Sequence, residues 1–216
     1  MSGERRTLAL RELGVVPYAE GLELQADLVR KRRAADIPDT LLLLEHPHVV
    51  TLGSSSDPAH VLTDQSERDR LGVELFKSGR GGDVTYHGPG QLVVYVLLDL
   101  RRLGVGIRKL VSTLEQTVIN LMEQENIVAA RRVDAPGVYV DGRKLAALGL
   151  RVRRGCTYHG LSLNVDMDLA PFSRINPCGY PDLKVTQLRD LGLAGDADEW
   201  GERFVGEFAN LLQNSS

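Results

Sequence analysis

One thiol in a proline-bounded loop and one lysine in an apolar strand are the residues whose setting most suggests chemistry. Cys178 lies in Asn176-Pro-Cys-Gly-Tyr-Pro181. Two prolines and a glycine predict a rigid loop there, unable to join a helix or a central strand. A thiol fixed in such a loop can be accessible and directed, or it can be a passive cysteine. Nucleophilic use requires the thiolate, and an unperturbed cysteine with a pKa of ~8.5 is only a few per cent ionised near neutrality. Cys178 therefore needs a cation or base beside it. The candidates are His87, His159, Lys144 and several arginines. Lys144 follows the turn Asp141-Gly142 and enters the apolar run Leu145-Ala-Ala-Leu-Gly149. A lysine in that position either sheds part of its hydration, which favours the neutral amine and makes it a usable base, or stretches its ammonium to the surface.

The stretch from Arg80 to Gly90 contains Gly81, Gly82, Gly88 and Gly90, enough to bring backbone N–H groups close to a ligand. It is not a phosphate-binding P-loop, because no Gly-Lys-Ser or Gly-Lys-Thr follows. No helix clearly starts there, which argues against a dinucleotide fingerprint. His46 and His48 can place two imidazoles on one strand face, but no third ligand stands at a spacing that suits zinc. No Ser/His/Asp constellation stands out, although chain order alone does not exclude one. Thr85-Tyr-His-Gly88 and Thr157-Tyr-His-Gly160 repeat one another, each beside a glycine turn. Both copies are expected to present this tetrapeptide at the head of a strand, unless the echo is coincidental or purely structural. The alignment sets Cys156 where the first copy has Val84, so Cys156 reads as a small buried hydrophobe.

These residues need elements to position them. Thr7 to Leu13, Leu41 to Leu44, Val49 to Leu52, Val73 to Lys77 and Gln91 to Leu98 read as strands. Pro47 breaks the second from the third. Asp141-Gly142 between Val138–Val140 and Leu145–Arg151 is a hairpin signal, and Leu161 to Val165 alternates as a half-buried strand does. Helical periodicity runs through Pro17 to Arg33 and Ile107 to Glu125. A last helix carries Trp200, Phe204, Phe208 and Leu211, capped by Asp196 or Asp198. Successive strands without helices between them predict an α+β fold with a mixed, largely antiparallel sheet flanked by three or four helices.

The 216 residues can build a full core without staples and are read as a single catalytic domain over 1–216. Two cysteines form no disulfide framework, no secretory signal is apparent at the N-terminus and no apolar run spans a bilayer. These features predict a cytoplasmic protein. A net charge of -3 and a pI near 6.0 argue against a general nucleic-acid binder. The basic clusters at Arg30–Arg33 and Arg151–Arg154 are each most simply solvated surface.

Taken together, Arg80-Gly-Gly-Asp-Val-Thr-Tyr-His-Gly-Pro-Gly-Gln-Leu-Val-Val-Tyr95, residues 142–155, Thr157-Tyr-His-Gly-Leu-Ser-Leu-Asn-Val-Asp166, Ile175-Asn-Pro-Cys-Gly-Tyr180 and Val185-Thr-Gln187 resemble the motifs of the lipoyl(octanoyl) transferases. The similarity runs from about Glu45 to Leu188. It implies a fold related to the biotin and lipoate protein ligases, with Cys178 as the acyl-thioester nucleophile and Lys144 as its partner. It implies that the acyl substrate is lined by Arg80, Gly81, Gly82, Asp83, Val84, Thr85, Tyr86 and His87, by Ala147, Leu148 and Gly149, and by Gly160, Leu161 and Ser162. The implied donor is octanoyl-acyl carrier protein, its acyl group on phosphopantetheine. The implied acceptors are apo lipoyl domains of 2-oxoacid dehydrogenase E2 subunits and the glycine cleavage H protein. Neither ATP nor a metal is implied. Thioester exchange is nearly neutral in free energy and amide formation is downhill, and the basic cluster beside the second motif suits an acidic carrier. The readings set against this are an ATP-dependent lipoate–protein ligase of the same fold, an amidotransferase moving octanoyl groups between carrier proteins, and a non-catalytic acyl-binding module.

Overall fold

A computed structural model describes residues 8–133, 135–176 and 183–213. In chain order its strands are β1 (Leu8–Val15), β2 (Asp39–Glu45), β3 (Val49–Leu52), β4 (Glu74–Lys77), β5 (Val84–His87), β6 (Gln91–Leu97), β7 (Ala130–Arg131), β8 (Val138–Val140), β9 (Arg143–Arg153) and β10 (Cys156–Asn164). The α-helices are α1 (Tyr18–Arg33), α2 (Gln65–Leu71), α3 (Leu100–Leu103), α4 (Ile107–Gln124) and α5 (Ala197–Gln213). Seven strands form one sheet in the order β1-β2-β6-β10-β9-β8-β7, and β4-β3-β5 form a second. The pairs β1–β2 and β3–β4 are parallel and the others antiparallel, so the architecture is the mixed α+β one expected.

Period-two alternation sorts the large sheet's side chains onto two faces. Leu41 and Leu43 of β2, with Leu92, Val94 and Val96 of β6, pack on Leu114 and Val118 of α4 and on Phe204 and Phe208 of α5. Leu42, Leu44, Val93, Tyr95 and Leu97 turn the other way, onto Leu28 and Val29 of α1. A sheet covered on both faces reads in sequence as continuous apolar runs, which is what β2 and β6 show. Asp196 caps α5 by accepting the Glu199 N–H at 3.0 Å. No helix among the described residues is long and apolar enough to cross a membrane.

The repeated tetrapeptide behaves differently in its two copies. Residues 157–159 belong to the continuous strand β10, as expected. In the first copy, Thr85, Tyr86 and His87 lie in β5, a strand of the smaller sheet, and the chain turns before β6 begins. The expectation that the first copy stands at the head of a strand is corrected: its residues 85–87 make up most of the short strand β5 itself, which finds its antiparallel partner in β3, a pairing invisible to local sequence. Cys156 is buried at the head of β10, in the apolar setting its alignment with Val84 suggested.

Candidate active site

A cavity of about 270 Å³ opens between the α1 side of the large sheet, the loop before β5 and the first turns of α4. Residues 80–85 and His87 line it. So do Lys144, Ala147, Leu148 and Gly149 of β9, and Gly160, Leu161 and Ser162 of β10. Tyr86 is not part of the wall. Its ring packs edge-on against Phe172 and its hydroxyl meets His48 Nδ1 at 2.5 Å, within the core of the smaller sheet. Cys178 lies outside the described residues.

The glycine loop is held by backbone contacts that tolerate no side chains. Gly81 N–H donates to Leu150 O at 3.0 Å. A Cβ on Gly149 would stand 2.8 Å from Gly81 O, and one on Gly53 would stand 2.0 Å from Gly82 O. The buried Arg80 guanidinium locks the same loop onto β3, donating to Thr51 Oγ1 at 3.0 Å and Thr51 O at 2.7 Å. Asp83 accepts from its neighbour Val84 N–H and pairs with His60 Nδ1 at 2.6 Å. The Gly81 amide is thus occupied by the Leu150 carbonyl of β9.

Lys144 is 5% exposed. Its main chain is held on both sides by the segment that follows residue 182. Lys144 N–H donates to Lys184 O at 2.8 Å, and Thr186 N–H donates to Lys144 O at 2.9 Å. Gly137 lets the lysine stem pass, since a Cβ there would lie 3.2 Å from Lys144 Cε. The ammonium nitrogen sits 5.4 Å from the Tyr139 ring centroid, within the range of a cation–π contact.

The polar floor is a chain of buried amides and imidazoles. Gln91 Nε2 donates to Asn164 Oδ1 at 2.9 Å, and Asn164 Nδ2 donates to Thr186 O at 2.9 Å. That amide orientation turns Gln91 Oε1 toward His87 Nδ1, 2.6 Å away. The imidazole therefore donates from Nδ1 and keeps Nε2 as an acceptor. His46 Nδ1 meets Val16 O at 2.6 Å. It must donate there, which leaves Nε2 to accept from the Tyr95 hydroxyl at 2.6 Å. Burial, with help from His46, Arg80 and His159, pushes the His87 pKa down to about 3. Burial and the positive charges of Arg80 and Arg151 bring His159 down to about 4. Both rings are neutral bases at physiological pH. Burial likewise lifts Tyr18 and Tyr95 above the usual phenol value, so both stay protonated. His46 and His48 do not share a strand face. They lie between β2 and β3 and turn to different tyrosines, and among the described residues no three His, Cys, Asp or Glu side chains converge as metal ligands.

Sequence reasoning missed several wall residues: Tyr18, Gln91, Tyr95, Ile107, Asn164 and Val185. Gln91 and Asn164 did carry a signal. Each is an amide in an otherwise apolar strand, and β6 and β10 set them directly opposite one another. Tyr18 carried none, because a helix face rich in apolar residues reads as core.

The resulting site joins an apolar slot to a buried lysine and neutral hydrogen-bonding groups. The family model described as the lipoyl protein ligase A/B catalytic domain matches residues 17–209. The chain belongs to that family. Within the lipoyl protein ligase A/B family, an octanoyltransferase of Pseudomonas putida is 50% identical over 95% of this chain and 92% of its own length. An octanoyltransferase of Thiobacillus denitrificans is 54% identical over 87% of this chain and 83% of its own. Among solved structures, lipoate-protein ligase A bound with ATP superposes with a TM-score of 0.75 at 19% identity, covering 95% of this chain and 85% of that one. A biotin protein ligase from Aquifex aeolicus gives 0.58 at 14% identity over 96% and 71%. Those two likenesses establish the shared fold.

Proposed function

We propose that this chain transfers an octanoyl group from a carrier-protein thioester to the ε-amine of a lysine on a lipoyl domain, by way of a thioester on Cys178. The identity of one half to the Pseudomonas putida octanoyltransferase, across 95% of the chain, carries the reaction class. The apolar walls at Ala147 and Leu148 suit an eight-carbon chain, with each buried methylene contributing ~0.8 kcal/mol.

The Cys178 thiolate attacks the donor carbonyl. A new C–S bond forms, the old one breaks, and the pantetheine sulfur leaves with the proton that the Lys144 ammonium gives up, which turns Lys144 into a neutral amine. An acceptor amine then attacks the enzyme thioester, forming the C–N bond and returning the thiolate. Lys144, buried in the wall of the same cavity, holds the thiolate charge and takes the proton that the amine must lose. Thioester exchange is close to neutral and amide formation is downhill, so the cycle needs no nucleotide or metal. An acyl-carrier donor, acceptors among the lipoyl domains of 2-oxoacid dehydrogenases and the glycine cleavage H protein, and a cytoplasmic site of action belong to the same reading.

The test is intact-mass spectrometry of octanoyl carrier protein mixed with the chain and an apo lipoyl domain, without nucleotide. The acceptor lysine should gain one octanoyl group, and the chain alone should show an acyl adduct that Cys178→Ser lacks. A gain that requires ATP and free acid would point instead to a ligase. An adduct that survives Cys178→Ser would remove that thiol from the mechanism.

A further inference from the structure

The rim of the cavity carries charge that the chemistry just described does not use. Residues 99–109 and 151–154 hold seven Lys or Arg and a single carboxylate, Asp99, in a chain whose net charge is -3. Asp99 is occupied as the cap of α3, accepting from the N–H groups of Arg101 and Arg102. The two segments form one surface. Leu100 N–H donates to Gly155 O at 2.9 Å and Thr157 N–H to Leu98 O at 2.9 Å. The Arg101 side chain lies over Gly155, with Nε 2.8 Å from where a Cβ would stand. The first segment reaches the cavity through Ile107, and the second follows directly on the lining residue Leu150 of β9. Arg102 is partly satisfied by Asp39, whereas Arg101, Arg108, Arg151, Arg153 and Arg154 are exposed.

The hairpin between β9 and β10 adds an independent sign. Arg154 has φ +54 and Gly155 φ +89, the two positive values of a type I′ turn, where Asn-Gly or Asp-Gly is preferred. The other tight hairpin in this sheet uses Asp141-Gly142, with φ +50 and +73. An arginine in the left-handed position is a local conformational cost, and such costs collect where function needs the side chain. From Leu148 in the cavity wall to Arg154 is about 20 Å along the strand, so a donor seated on the hairpin must deliver its thioester on an extended arm.

We infer that this arginine surface docks an acidic carrier protein and steers its acyl-bearing arm into the cavity, an assignment that rests on the octanoyl-transfer reading. Arg154→Asn separates docking from folding, because asparagine suits the turn. Its melting temperature should hold or rise, while the KM for octanoyl carrier protein rises several-fold and that for octanoyl-pantetheine, which lacks the carrier, stays put. Reversal of both Arg101 and Arg154 to glutamate should raise the carrier KM on the order of tenfold and flatten its dependence on salt. The inference is overturned if the two donors shift together, if neither shifts, or if the effect falls on the KM of the lipoyl acceptor. Titration with carrier protein alone, without acceptor, reads docking directly. Salt-sensitive binding by a chain that transfers nothing would support the surface while sinking the transfer reading, and no binding by a chain that transfers normally would do the reverse.

Discussion

His87 and His159 have given up their charge to burial, and the consequence is a pH dependence with a definite sign. Their folded pKa values of about 3 and about 4 lie below the ~6.5 of an unfolded histidine. Between those limits the unfolded chain binds more protons than the native one, so stability rises with pH across the window and is fully present above about 6.5. Each such imidazole contributes a slope of up to ~1.4 kcal/mol per pH unit. Urea midpoints should therefore be level from pH 7 to 8 and fall as the solution is acidified below about 6.5. His87→Gln, which keeps a polar group opposite Gln91, should lose less on acidification than the parent protein. A slope identical to the parent's would show that His87 is not held neutral. Cys156 follows the same logic from the other side: burial and the nearby Asp99 charge raise its thiol pKa, which makes it a poor nucleophile.

At the level of elements, the site depends on how closely the glycine loop approaches β9. Gly149→Ala would set a methyl 2.8 Å from Gly81 O and 3.1 Å from Arg80 Cδ. The first is backbone, so the loop must move away. Expected is a loss of kcat/KM between tenfold and roughly a hundredfold, since a shift near 1 Å can cost that much, with a stability loss of about 1–3 kcal/mol. Gly206→Ala is the control: the residue sits in α5 with nothing within 4 Å of the added methyl. It should stabilise by up to ~1 kcal/mol and leave turnover alone. Equal activity losses in the two variants would refute the close-approach argument. Much of this architecture was legible beforehand. The run Gln91–Leu97, the Asp141-Gly142 turn and the α4 stripe each announce their element, and Lys144 stood out as the lysine that enters the apolar run 145–149. The smaller sheet was only partly legible: four-residue strands that pair across the chain leave little local pattern. Helix α2 was missed because it is short and polar, although Asp64 caps it by accepting the Glu67 N–H. The cavity wall was legible where motifs supplied it. It was hidden where tertiary pairing creates it, as at the Gln91–Asn164 contact.

Across the whole molecule, one buried carboxylate joins three parts of the chain. Asp39, at the start of β2, takes the Arg32 Nε–H from the end of α1, the Asp99 N–H at 3.0 Å beyond β6, and Arg102 Nη2 at 2.7 Å from α3. The side chains of Arg32 and Asp39 are 5% and 3% exposed, so neither can turn to water for a substitute partner. A buried ion pair adds modest net stability against an apolar replacement, but removal of one member strands the other charge at a cost of about 3–5 kcal/mol. Asp39→Asn does so with almost no change in shape. At roughly 2–4 °C per kcal/mol for a chain of this size, calorimetry should show a melting temperature lower by on the order of 6–20 °C. Because α1 brings Tyr18 to the cavity at its other end, the loosened helix should also raise the KM for octanoyl-pantetheine, a donor that needs no docking surface. A double change, Asp39→Asn with Arg32→Met, removes the stranded charge and should recover part of the lost stability. If the double variant melts no higher than the single one, the penalty lies in the lost hydrogen bonds to Asp99 and Arg102 rather than in the uncompensated guanidinium.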